Sequence, residues 1–110
     1  MTNPYREEQP TLPEVEATRG PLVLEFGNDW CGYCRAAQPI IEEAFARHPG
    51  IERLKLADAR EKRLGRSFGV KLWPTLVFLR DGREVARAVR PRDVSEVADA
   101  LARIAGTAPG

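Results

Sequence analysis

Two cysteines, Cys31 and Cys34, stand three positions apart in the run Trp30-Cys31-Gly32-Tyr33-Cys34, and the 110-residue chain holds no others. A pair at that spacing suits thiol–disulfide exchange when it opens a helix. Unpaired backbone N–H groups and the positive end of the helix dipole then favour a thiolate on Cys31, and Cys34, one turn on and more buried, can resolve a mixed disulfide. The same preference for the thiolate makes the Cys31 sulfur the better leaving group. Other chemistry is open to such a pair. A zinc site needs four ligands, and His48, the only histidine, lies at the far end of the stretch that follows. A metal or iron–sulfur site shared between two chains and a buried, inert pair are the further alternatives. Two cysteines do not make the disulfide framework of a small secreted domain, so a cytoplasmic location is expected.

The elements around the pair must present it. Leu22 to Phe26 is a short apolar run broken at Gly27-Asn28-Asp29, which has the length of a buried strand leading directly into the cysteines. From Cys31 onward Ala37, Ile40, Ile41, Ala44 and Phe45 recur at three and four, predicting a helix that ends at His48-Pro49-Gly50 and carries Pro39 inside it. Upstream, Thr11 and Glu14 form a capping-box pattern for a helix near 12–19. Downstream, residues 51–58 read as a second strand and 59–67 as a surface helix closed by Gly69. Thr75–Leu79 and Glu84–Val89 flank Asp81-Gly82, a hairpin turn pair. Asp93 with Glu96 caps a last helix whose apolar positions run from Val94 to Ala105. Strand–helix units followed by a hairpin and a helix imply an α/β domain with a mixed sheet and helices on both faces. The domain is expected to span residues 11–106. Residues 1–10 read as a flexible segment anchored only by Tyr5, and 107–110 as a frayed tail.

Composition narrows the function. Seventeen basic residues against 16 acidic ones leave a formal charge of +1, which gives no electrostatic reason to expect nucleic acid or an anionic membrane as partner. No apolar stretch approaches the roughly 20 residues of a membrane span, and the first eight residues lack the basic and apolar pattern of a secretory signal.

The run Phe26-Gly27-Asn28-Asp29-Trp30-Cys31-Gly32-Tyr33-Cys34-Arg35, Pro39 five residues past the second cysteine, Trp73-Pro74-Thr75 before a strand, and Phe78-Leu79-Arg80-Asp81-Gly82 are together similar to the thioredoxin family, over roughly residues 20–105. The resemblance implies a thioredoxin fold with a sheet of four strands, or five if the first segment joins it. It implies a protein-disulfide oxidoreductase that needs no prosthetic group, because the Cys31–Cys34 pair is itself the redox carrier. Its partners would be protein disulfides and a reductase or dithiol electron donor, and it would act as a monomer. In that family the proline matching Pro74 is cis and lies beside the cysteines, where neighbouring backbone pairs with an extended substrate. The same resemblance gives Trp30, Gly32, Tyr33, Trp73, Pro74 and Thr75 a part in substrate binding. Glu25 matches a buried acid that helps move the proton of the second cysteine, with Lys55 on the adjacent strand as its partner in that relay. A fold that binds partner proteins with little redox turnover is the rival from another functional class.

Three departures stand out. Gly-Tyr replaces the family's Gly-Pro between the cysteines and resembles bacterial periplasmic disulfide isomerases, implying a somewhat more oxidising couple. Trp73 is bulkier than the usual aliphatic residue beside the cis proline. Arg87-Ala88-Val89-Arg90-Pro91-Arg92 stands where the family has a glycine-containing loop. Its three arginines read either as a solvated edge that discourages strand pairing or as a selector of acidic substrates.

Overall fold

In the computed structural model, which describes residues 3–106, the Thr11 capping box forms as its spacing predicts. The Glu14 N–H donates to the Thr11 hydroxyl at 3.2 Å, and the Glu14 carboxylate accepts from the Thr11 N–H at 2.8 Å. This opens α1 (Leu12–Ala17), followed by β1 (Pro21–Gly27), α2 (Gly32–Ala46), β2 (Glu52–Ala57), α3 (Arg63–Ser67), β3 (Thr75–Arg80), β4 (Arg83–Val89) and α4 (Val94–Ala105). The β3–β4 turn has Asp81 and Gly82 at φ 52° and 80°, the left-handed pair that matches the twist of a tight hairpin. A Cβ on Gly82 would lie 2.1 Å from the Glu16 carbonyl oxygen, so the turn packs directly on the end of α1.

The strands order as β2-β1-β3-β4, with β1 parallel to β2 and antiparallel to β3, and β3 antiparallel to β4. Because successive strand side chains face opposite sides, β1 divides its residues cleanly. Leu22, Leu24 and Phe26 join Val15, Leu56, Leu64, Val77 and Leu79 in the core under α1 and α3. Val23 joins Ile41, Ala44, Leu76, Phe78, Leu101 and Ile104 under α2 and α4. Each fully buried Val, Leu, Ile or Phe among them contributes about 1.5–3 kcal/mol. The same alternation sends Glu25 toward α2, and Arg53 and Lys55 of β2 follow it there, Lys55 being the direct register partner of Glu25.

Two stretches differ from the sequence reading. α3 begins at Arg63, not at residue 59. The chain leaving β2 is held by the Asp58 N–H donating to Gly27 O at 2.9 Å and by Asn28 Nδ2 donating to Asp58 O at 2.7 Å, which keeps those residues out of a helical turn. The second difference is the first segment, read as flexible: among residues 3–10, Tyr5 is buried and Arg6 forms a parallel bridge with Leu56. The Arg6 N–H donates to Lys55 O, and Arg6 O accepts from the Ala57 N–H, both at 2.8 Å. The segment therefore lies along the outer edge of β2 as a single bridge, and the sheet itself has four strands. Residues 107–110 lie outside the described residues.

Candidate redox site

Cys31 is the N-cap of α2, and the Cys34 N–H donates to its sulfur at 3.2 Å. A capping thiol at the positive end of a 15-residue helix receives an amide N–H and the dipole together, both of which favour negative charge on sulfur. Both thiols are free. Cys31 keeps 8% of its surface exposed whereas Cys34 keeps none, so an incoming disulfide meets Cys31 first. Burial, and then the neighbouring Cys31, push the Cys34 thiol up to about 12, with the Asn28 backbone and the Tyr5 hydroxyl acting in the opposite direction. Cys34 therefore stays protonated at neutral pH until something takes its proton.

Behind the cysteines lies a buried polar network. Glu25 is fully buried and accepts from the Tyr5 hydroxyl at 2.5 Å, from Gln38 Nε2 at 2.9 Å and from Arg53 Nε at 2.7 Å. Gln38 is held at both ends. Its Nε2 also donates to Cys34 O at 3.0 Å, and its Oε1 accepts from Arg53 Nη2 and Lys55 Nζ, each at 2.9 Å. Arg53 further reaches Glu42 at 2.7 Å. Burial works against the Arg53 charge, but Glu25 and Glu42 outweigh it and raise its pKa. For Lys55 burial wins and the pKa is lowered. Lys55 donates to the Asn3 carbonyl, and its ammonium lies 4.5 Å from the Tyr5 ring centroid.

The opposite side of the pair is exposed and aromatic. Trp30 and Tyr33 are 69% and 61% exposed. The Trp30 ring meets Trp73 edge-on, with centroids 5.5 Å apart, and Trp73 Nε1 donates to Asp58 Oδ2 at 2.9 Å. The Trp73–Pro74 bond is cis, as the resemblance implied. The Arg90 guanidinium stacks 3.6 Å from the Tyr33 ring centroid, and its Nε donates to Trp73 O at 2.8 Å.

The family model described as thioredoxin matches residues 9–103. The chain belongs to the thioredoxin family. It is 36% identical to thioredoxin of Chlamydia muridarum over 74 residues, which are 67% of this chain and 72% of that one. Its structure is similar to that of reduced thioredoxin 2 from Pseudomonas aeruginosa, at 50% identity and TM-score 0.85, covering 96% of this chain and 97% of the other. It is also similar to a mutant thioredoxin from Halobacterium salinarum, at 27% identity and TM-score 0.72, covering 96% and 92%. The fold is thus the thioredoxin fold. The chain is a thiol–disulfide oxidoreductase that works through its own cysteine pair without a cofactor. A binding module with little redox turnover is not favoured.

Within this thioredoxin-family site, several residues sit differently from the sequence reading. Lys55, expected as the partner of Glu25, reaches it only through Gln38; the direct ion pair is with Arg53, at 2.7 Å. The guanidinium fork spans Glu25, Glu42 and Gln38 at once, a geometry that the single ammonium of lysine does not offer. Thr75 is buried and its hydroxyl donates to Leu72 O at 2.6 Å, so its side chain is absent from the exposed surface. Of the three arginines in the 87–92 stretch, Arg87 pairs with Glu84 and Arg90 covers Tyr33, so two of them are engaged within the chain. Sequence reasoning missed Tyr5, Gln38 and Arg53, and read Arg90 only as one of three arginines on an edge, not as the cover of Tyr33. Gln38 was legible as the i+4 neighbour of Cys34, and Arg53 as two residues from Lys55 on one strand face. Tyr5 gave no local signal.

Proposed function

We propose that the chain is a reductant of protein disulfides in which Cys31 attacks and Cys34 resolves. One observation carries this reading: the Cys31 sulfur caps α2 and receives the Cys34 N–H, and Cys31 keeps a sliver of exposed surface where Cys34 keeps none. The Cys31 thiolate attacks one sulfur of a substrate disulfide, releasing the other as a thiolate. Cys34, once deprotonated, attacks the Cys31 sulfur, releases the second substrate thiolate and leaves a Cys31–Cys34 disulfide. A reductase or a dithiol donor returns the pair to two thiols. Glu25 receives the Cys34 proton, Arg53 and Gln38 fix its carboxylate, and Lys55 fixes Gln38. Trp30, Gly32, Tyr33 and Trp73 offer the surface on which an extended substrate segment lies, with the buried cis Pro74 and the backbone of Thr75 beside it.

The exposed large apolar side chains Trp30, Tyr33, Leu72 and Val89 are neighbours of the cysteines or of Trp73 and Arg90. That distribution supports a monomeric working unit whose exposed apolar side chains, among the described residues, face substrate. Both cysteines belong to the redox pair, so no structural disulfide calls for an oxidising compartment, and we place the protein in the cytoplasm. Insulin reduction with dithiothreitol as donor tests the activity: the parent chain accelerates precipitation and Cys31→Ser abolishes the effect. Equilibration against glutathione tests the direction. A potential near about −270 mV supports a reductant, whereas one between about −180 and −120 mV makes the protein an isomerase or oxidant.

A further inference from the structure

Glu25 and Cys34 are bridged by a residue from outside the redox motif. One carboxylate oxygen, Oε1, is taken by Arg53; the other, Oε2, accepts from the Tyr5 hydroxyl at 2.5 Å. That hydroxyl also lies close to the cysteine, Tyr5 and Cys34 packing in one buried cluster. A Cβ built on Gly27 would lie 2.6 Å from Cys34 Sγ and 2.8 Å from the Tyr5 oxygen, so the two atoms flank one point that only a glycine leaves empty. A phenol is suited to this place because it donates through its O–H and accepts on its oxygen at once. Gln38 Nε2, 3.3 Å from the Tyr5 oxygen and 2.9 Å from Glu25 Oε2, holds the two acceptors together.

Resting on the oxidoreductase reading above, we propose that Tyr5 is a catalytic residue of the resolving step, the relay through which the Cys34 proton reaches Glu25. The Cys34 S–H bond breaks and its proton joins the Tyr5 oxygen as the Tyr5 proton joins Glu25 Oε2. Sulfur keeps the electron pair and attacks Cys31 Sγ, and the bond from Cys31 to the substrate sulfur breaks with its pair going to the substrate thiolate. Tyrosine ends as it began, and the only electrons exchanged are those of the dithiol and the substrate disulfide. Burial and the Glu25 charge hold the Tyr5 phenol well above its ordinary range, so it hands a proton on without resting as a phenolate. A cleft of about 720 Å³ lined by Tyr5, Cys34, Gln38 and Lys55, among others, adjoins the relay.

The resolving step can be timed by mixing the reduced protein with a large excess of dithiobisnitrobenzoate. Attack by Cys31 releases one chromophore in a phase that depends on reagent concentration, and attack by Cys34 releases a second in a phase that does not. Tyr5→Phe should leave the first phase within about twofold and slow the second at least about tenfold at pH 7, general acid–base steps being worth about 10²–10⁴-fold. The slowed phase should recover as pH rises and hydroxide replaces the relay. A second phase with unchanged rate and pH profile overturns the proposal. If Tyr5→Phe does not fold, a fluorinated tyrosine at position 5, keeping shape but with a more acidic phenol, should move that pH profile, and a superimposable profile overturns the proposal equally. Failure of the oxidoreductase reading looks different: the parent chain then releases no second chromophore.

Discussion

The two sides of the cysteine pair are built on opposite principles. Toward solvent, the exposed Trp30 and Tyr33 and the half-buried Trp73 and Arg90 are joined by edge and stacking contacts. Toward the interior, Glu25, Arg53, Gln38, Lys55 and Tyr5 form a network in which no buried side-chain polar atom among the described residues lacks a partner. The exposed side meets water when empty, so losing one contact there has a small effect. Inside, a lost partner leaves a charge with neither water nor a counter-ion, and the cost is several times larger. Substrate affinity and chain stability are therefore separable here, and substitutions can break or sharpen the contrast.

The largest effect should come from Arg53→Met, which leaves Glu25 charged and fully buried with only its neutral donors. A loss of about 3–5 kcal/mol is expected, read from the midpoint of urea unfolding of the reduced protein. A loss below about 1 kcal/mol would mean that the interior side is no more demanding than the exposed one.

Next is the pH dependence carried by Cys34. Its thiol lies at about 12 when folded against an ordinary value of 9.0, so between these limits the native state binds more protons than the unfolded one. This contribution to stability is fully present below pH 9 and is lost as pH rises toward 12. Stability measured from pH 8 to 11 under reducing conditions should fall more steeply in the parent than in Cys34→Ala. Parallel slopes would show that Cys34 ionises as an ordinary thiol.

Gly27→Ala should destabilise by about 1–3 kcal/mol, the range for overpacking, because its methyl group would meet Cys34 Sγ and the Tyr5 oxygen. It should also slow the resolving phase. Retention of both stability and rate would show that the sulfur and the phenol have room to part.

The smallest effects belong to the exposed side. Arg90 has φ 48°, a left-handed conformation costing about 1–2 kcal/mol outside glycine, while its stacking on Tyr33 contributes about 0.5–1 kcal/mol. Arg90→Ala keeps the backbone cost and loses the contact, so its melting temperature should fall slightly. Arg90→Gly loses the contact but removes the strain, and should match or exceed the parent. Both should raise KM for a protein disulfide more than they lower kcat, since Tyr33 loses its cover and Trp73 O its donor. If kcat falls instead, the exposed side does more than bind.

The sequence by itself determined what depends on near neighbours along the chain. Cys31 and Cys34 at the head of α2, the Thr11 capping box, the Asp81-Gly82 hairpin and the alternation that turns Glu25 toward α2 follow from spacing, because helix and strand periods fix which side chains share a face; at α4 Asp93 caps the Ser95 N–H but Glu96 accepts from the Arg92 N–H instead of closing a box on Asp93. The tertiary structure alone decided who stands next to Glu25. Arg53 displaced Lys55 as its ion partner because the reach and fork of a guanidinium, not register, select the contact. Tyr5 came to the same carboxylate from a segment 20 residues upstream that has no periodicity of its own, and lies there because β2 offered a free edge to Arg6. Such long-range proximity is set by packing the whole sheet, which no window of sequence contains.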